Sequence, residues 1–153
     1  MARWRRFPLK GREISAVLLR RRREGFDHVT FTGGEPTAQP LLPAALRAAR
    51  RLGFRTYLTT NGGLFAERSY ARTVLPLVDE LCLSIHGPDA QVHDASTRTP
   101  GSFARATQAF DNIQRYGERV FILTNTVGTV TNGVDEGGAT SSATRYYRVR
   151  LVP

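Results

Sequence analysis

Apolar and polar positions along this chain follow two alternating periods. Four short runs rich in β-branched, aromatic and aliphatic residues read as strands: His28–Thr32, Arg55–Thr59, Leu81–Ile85 and Val120–Thr124. The segments between them carry apolar residues at three- and four-residue spacing, the signature of one buried helix face. Ile14, Val17, Leu18 and Arg21 share such a face, and Gly25 follows as a stop. Leu42, Ala45, Leu46 and Ala49 repeat the pattern before Gly53. Phe103, Ala106, Phe110 and Ile113 form the cleanest stripe, with Ser102 placed as N-cap and Gly117 as the stop. Ser69–Val78 is a weaker helix, because Pro76 lacks the amide that a helix interior needs.

Strands that alternate with amphipathic helices predict an α/β fold of about four parallel strands with crossover helices. Successive strands start roughly 25 to 40 residues apart, which leaves room for one crossover helix each. Two architectures satisfy this, a doubly wound sheet and a (βα) barrel. The repeating pattern covers residues 1–132. Residues 133–153 form a different segment, rich in Gly, Ser, Thr and acidic residues at its start, and read as a flexible C-terminal tail. Within it, Tyr146–Val152 has the composition of a short strand.

Composition narrows the function classes. The chain has 153 residues, 41% of them hydrophobic, which suits one domain with a real core. No apolar run approaches the ~20 residues that span a bilayer. The basic start, Met1 to Lys10, is followed by no apolar stretch of the secretory type, so the expected location is the cytoplasm and no membrane partner is expected. Net charge is +9, and Lys10 is the sole lysine among 22 basic residues. A basic nucleic-acid binder is therefore one reading to weigh. The arginines are scattered, apart from the N-terminal group and the run Arg20 to Arg23, so nucleic acid is not expected as the main partner. The run at a helix C-terminus reads as a solvated face that complements the helix dipole. Cys82 is the single cysteine. Alone it forms no internal disulfide, structural zinc site or iron–sulfur site, and mid-strand it reads as a small buried hydrophobe.

Ligands of parallel α/β proteins bind beyond the carboxyl ends of the strands. The first strand is followed by Thr32, Gly33, Gly34, Glu35, Pro36 and Thr37, and the second by Thr60, Asn61, Gly62 and Gly63. The third ends in Ser84, Ile85, His86 and Gly87, and the fourth in Thr124, Asn125 and Thr126. All four endings are polar or glycine-rich, which predicts one ligand rim. Gly33 and Gly34 let backbone approach a ligand closely, Glu35 offers an acceptor for an ammonium group, and Pro36 stiffens the exit. The same residues also fit an ordinary turn with a solvated glutamate.

These segments resemble, in order, those of the radical SAM (S-adenosylmethionine) superfamily. Val29-Thr30-Phe31-Thr32-Gly33-Gly34-Glu35-Pro36-Thr37 is similar to the family's GGE segment, which binds the amino group of SAM. Thr59-Thr60-Asn61-Gly62 resembles its TNG segment. Leu83-Ser84-Ile85-His86-Gly87, with His93-Asp94, resembles its strand-four segment. Gly101-Ser102-Phe103 resembles the start of the next helix, and Asn125-Thr126-Val127 the strand-five ending. The resemblance covers about residues 13 to 130. It implies a partial (βα) TIM-like barrel and a cofactor set of S-adenosylmethionine with a 4Fe–4S cluster. In the family, three cysteines in a Cys-x3-Cys-x2-Cys pattern hold the cluster. One electron then cleaves SAM to methionine and a 5′-deoxyadenosyl radical, which abstracts hydrogen from substrate.

The resemblance assigns Gly33, Gly34, Glu35, Pro36, Thr60, Asn61, Ser84 and Asn125 to cofactor binding and places His86 on the rim near substrate. His86 and His93 fit no compact zinc spacing, so no metal site is expected there. The cluster motif is missing from this sequence, and strand one and the sixth strand are not recognisable. The chain is therefore expected to be an interior portion of the barrel, inactive alone. It would be completed by the remainder of the barrel from a longer chain and would act on a small-molecule or peptide substrate. The alternatives are a non-catalytic SAM- or nucleotide-binding module and the basic nucleic-acid binder. Two open sheet edges further predict poor solubility of the isolated piece.

Overall fold

The computed structural model describes residues 11–117 and the backbone of 121–126. The tail at 133–153, with its proposed strand, lies outside the described residues. Elements run in the order α1 (Gly11–Arg23), β1 (His28–Phe31), α2 (Leu42–Arg51), β2 (Arg55–Thr60), α3 (Arg68–Val74), β3 (Glu80–Ile85), α4 (Ala90–Thr97), α5 (Ser102–Tyr116) and β4 (Phe121–Thr126). Short 3-10 turns at Pro36–Ala38, Gly63–Ala66 and Leu75–Leu77 join them. The last of these is where Pro76 ends α3, as its missing amide requires.

The four strands are all parallel and lie in sequence order, β1-β2-β3-β4. A doubly wound sheet reverses its strand order at a switch point. An order that advances without reversal, with a helical crossover at each step, is the (βα)-barrel pattern. The structure is thus α/β with a partial barrel of parallel strands.

Alternation along the strands divides the two sheet faces. Leu58, Leu81 and Leu83 point into the main core and are fully buried there with Leu46, Phe65, Val74, Leu75 and Ile113. Tyr57, Cys82 and Ser84 alternate with them and belong to the opposite face. Cys82 is buried on that face, as its mid-strand position predicts. Burial, with Cys82 adding to it, pushes the Tyr57 phenol up to about 12.

The helix stripes hold with two corrections. Leu42, Ala45, Leu46 and Ala49 are all buried. On α1, however, Val17 is 39% exposed and Arg21 pairs with Glu24 in solvent. The packed line runs instead through Ile14 and Leu18, which meet Ala48, Ala49 and Phe54, to Arg22, whose guanidinium donates to Leu52 O and Phe26 O. α1 covers only the α2–β2 corner, so a stripe one residue wide suffices. Ser102 is not the N-cap of α5. Gly101 holds that position at φ 80, and the cap comes from outside the helix.

At the amino end of the sheet, Asp79 closes the corner before β3. Its carboxylate accepts from the Thr56 amide (2.8 Å), the Thr56 hydroxyl (2.9 Å) and Arg50 (2.6 Å). Burial opposes its charge, but the Thr56 amide, Arg50 and the Thr56 hydroxyl together outweigh it and hold the group below the ordinary carboxylate range. Thr56 is fully buried, so truncating Asp79 strands its amide. Asp79→Ala is expected to cost about 1–3 kcal/mol in urea unfolding near neutral pH, toward the lower end because the Asp79 side chain is 30% exposed. The folded pKa is depressed, so this contribution is present above the unfolded value of about 4 and is lost as pH falls through the folded value. The gap between wild type and variant should therefore close in acid.

At the other end of β2, Gly62 has φ 78, and an added Cβ would lie 2.5 Å from Leu83 Cδ1 and 3.1 Å from Ala109 Cβ. Left-handed backbone and core overlap add here. Gly62→Ala should lose about 2–4 kcal/mol in the same assay, whereas Gly11→Ala, where a Cβ meets nothing within 4 Å, should be near neutral.

Candidate ligand cleft at the carboxyl ends of the strands

Beyond the carboxyl ends of β1, β2 and β3 lies an open cleft of about 650 Å³. It brings together Gly33, Gly34, Glu35, Thr60, Asn61, Ser84 and His86 from the sequence-derived set. Pro36 is buried and does not line the cleft; it starts the 3-10 turn that follows Glu35. Asn125 is the register partner of Ser84 on the neighbouring strand, and its side chain lies outside the described residues.

Glu35 organises the cleft. Its Oε1 accepts from the Thr37 amide (2.9 Å), the Thr37 hydroxyl (2.6 Å) and the Thr60 hydroxyl (2.7 Å). Its Oε2 accepts one bond, from the Asn61 amide at 2.8 Å. Every partner is a donor, which is what a carboxylate requires. Oε1 is saturated, while Oε2 keeps acceptor capacity on a half-exposed group at the cleft wall. The carboxylate is thus locked in place with one oxygen able to take a further N–H donor.

The surrounding residues explain that lock. Thr37 is buried, and Tyr70 backs it by donating its hydroxyl to Thr37 O at 3.2 Å. Burial, and then the charge of Glu35, push the Tyr70 phenol up to about 12, so it stays a donor across the physiological range. Thr60 is 2% exposed; it donates to Glu35 and accepts from the Gly62 amide at 3.0 Å. Its donor is spent on Glu35, so the Thr60 hydroxyl helps position that carboxylate. Asn61 splits its roles, with its amide on Glu35 and its Oδ1 closing the turn on the Gly63 amide at 2.8 Å. Ser84 lines the cleft half-buried, and its hydroxyl has no partner among the described residues.

The sequence pattern predicts α5 but no helix over Ala90–Thr97, where the structure places α4. Asp89 caps a helix, α4, by accepting from the Val92 amide at 2.9 Å. Ala90–Thr97 buries only His93 and leaves Val92 exposed, so no apolar stripe announced it. His93 Nδ1 accepts from the His86 amide at 3.1 Å, which makes that nitrogen the unprotonated one, and the ring packs edge-on against Phe103. Gly87 is needed because an added Cβ would meet the His93 amide nitrogen at 2.7 Å. Asp94 supplies the cap that α5 lacks. It accepts from the Phe103 amide (2.8 Å), the Gly101 amide (2.6 Å) and the Ser102 hydroxyl (2.9 Å). The Phe103 amide foremost, against the burial cost, holds Asp94 below the ordinary carboxylate range. Arg105, which sequence reasoning passed over, also lines the cleft, with Thr97, Thr99 and Ser102.

No three His, Cys, Asp or Glu side chains among the described residues group as a metal site. No described helix is long and apolar enough to cross a membrane.

Comparison with known proteins bears on the family and the fold. A heme synthase named as AdoMet-dependent, from Oleidesulfovibrio alaskensis, is 30% identical over 58% of this chain and 23% of its own length. An S-adenosylmethionine-dependent nucleotide dehydratase from Lacinutrix mariniflava is 32% identical over 72% of this chain and 24% of its own length. The chain thus spans about a quarter of the length of these curated relatives. The crystal structure of an archaeal TYW1 superposes with a TM-score of 0.52 at 19% identity, covering 75% of this chain and 43% of that one, which is a likeness of fold. The family model described as the Radical SAM superfamily matches residues 2–136, and this chain belongs to that superfamily.

Proposed function

We propose that this chain is the SAM-binding portion of a radical SAM enzyme, and that Glu35 Oε2 accepts the α-ammonium of the cofactor. The observation that carries the reading is the uneven loading of the Glu35 carboxylate, with three donors on Oε1 and one on Oε2. An ammonium needs an acceptor that is fixed and open at once. Thr37 and Thr60 fix this one, and the cleft leaves it open. Gly33 and Gly34 add bare backbone beside it, with open space where side chains would stand. Ser84 offers a hydroxyl for the carboxylate or ribose of the same ligand.

Bound SAM supplies, in the family, a cleavable sulfonium whose adenosyl carbon becomes the hydrogen-abstracting group. That chemistry requires the cluster, and the donor set here does not fit one. The sequence has a single cysteine, Cys82, and it is buried within β3. We therefore assign this chain SAM binding and positioning, without cleavage on its own. The cluster thiolates and the substrate-specific parts would come from the rest of a longer protein, in keeping with the quarter length it matches in its relatives. Substrate would be a small molecule or peptide brought to the same mouth, beside His86.

Calorimetry with SAM on the purified chain tests the reading. Glu35→Gln should weaken SAM binding about 10- to 100-fold, the worth of a charged hydrogen bond. It should leave 5′-methylthioadenosine, which lacks the amino-acid end, unchanged. No heat with wild type at millimolar SAM, or equal losses for both ligands, would sink it.

A further inference from the structure

Among the described residues Arg105 is the one arginine or lysine lining the cleft, and nothing in the SAM reading uses it. Its guanidinium carries a permanent charge and five donors in a flat fork suited to oxyanions. Its recorded bond is a long one, Nη2 to Gly63 O at 3.3 Å. Four other arginines are neutralised, Arg20 and Arg21 by Glu24, Arg50 by Asp79 and Arg55 by Glu80, but none of these lines the cleft. Arg105 has no carboxylate within ion-pair distance among the described residues. Four of its donors are left for something else.

Its placement says what that something is. The Asn61–Gly63 turn separates the two charged groups of the cleft. Glu35 holds the Asn61 amide at one end of the turn, and Arg105 touches the Gly63 carbonyl at the other. Neither charge cancels the other, so the cleft has a carboxylate on the β1–β2 wall and a cation on the α5 wall. The ammonium end of SAM belongs to the first wall, where Gly33 and Gly34 leave room. The second wall adds Thr99 and Ser102 to Arg105, and a cleft of about 650 Å³ is larger than an amino-acid moiety needs.

We infer that Arg105 selects an anionic second ligand, binding a carboxylate or phosphate group of the molecule that shares the cleft with SAM. The inference rests on the SAM reading of Glu35, because that reading assigns the opposite wall. It makes Arg105 a specificity residue for substrate and predicts that neutral molecules are poor occupants of this side.

The test titrates two probes, pyrophosphate and succinate, into the chain with and without saturating SAM. Wild type should bind at least one of them with SAM present, and the arm that binds names the source of the oxyanion. Arg105→Gln should weaken that probe about tenfold or more. Arg105→Lys should fall between, because the charge stays and the fork is lost. Arg72→Gln, on the exposed side of α3, should change nothing. SAM affinity should move less than twofold in all three. Equal probe affinity in wild type and Arg105→Gln would overturn the inference, as would absence of binding by both probes. A probe that displaces SAM, or a tenfold loss of SAM affinity in Arg105→Gln, would also overturn it by giving Arg105 to the carboxylate of SAM itself. Failure of the Glu35 reading is visible separately, as a wild-type chain that takes up no SAM while the titrations without SAM still report on Arg105.

Discussion

The hydrogen bonding of one carboxylate holds the mouth of this protein together. Glu35 follows β1, yet two of its four donors, the Thr60 hydroxyl and the Asn61 amide, belong to the end of β2 and the turn after it. The parallel ladder registers the two strands only as far as Phe31 and Leu58. Beyond that point the Glu35 carboxylate carries the connection. A neutral side chain there could not satisfy four donors with the same strength, because charge-assisted bonds are roughly twice as strong as neutral ones. The proposed ligand acceptor and the structural cross-link are thus the same carboxylate. It is preorganised by the bonds that hold the strand ends and by Thr37, which Tyr70 backs.

The amino end of β2 repeats this solution. Thr56 and Thr60 are both buried, four residues apart on the helix-facing side of the strand, where a hydroxyl without a partner would be costly. Each meets a carboxylate that arrives from another part of the chain, Asp79 for Thr56, whose hydroxyl also reaches Leu77 O, and Glu35 for Thr60. Between them Leu58 fills the main core. β2 is therefore anchored at both ends by charge and in the middle by apolar packing. At the amino end Asp79 also spends its charge on Arg50. At the carboxyl end no arginine among the described residues pairs with Glu35, and that difference leaves its charge available for the ligand role proposed above.

The parts of this architecture legible in the sequence were those with strong periodicity or with residue types of narrow use. β-rich runs gave the four strands to within two residues, and Leu42–Ala49 gave a buried face that the structure matches position for position. Gly33-Gly34-Glu35 gave the rim. The illegible parts share a physical reason: their roles are fixed by contacts between segments distant in sequence. α4 buries a histidine in place of an apolar stripe, so its pattern resembles a loop until His86 and Phe103 are brought to it. Ser102 looks like a cap because serine usually is one. Asp94 takes that role from eight residues upstream, a distance that only the turn at Arg98, with φ 54, makes short. Thr60 reads from sequence as a ligand contact, and only the fold adds the hydrogen bond its hydroxyl donates to Glu35.

Arg105 falls in the same class. On sequence it is one arginine among many, on an exposed helix position with no motif around it. Its meaning comes from the cap on α5: Asp94 fixes the first turn of that helix, and the fourth residue, though exposed, lines the cleft. Charge separation across the mouth then follows from backbone geometry, because the turn that Asn61 closes stands between Glu35 and Arg105. Had the two side chains met, they would have formed an ion pair of little consequence at a surface. Held apart, each keeps its charge: Glu35 for the cation of one ligand, and Arg105 for the anion of a second that shares the cleft.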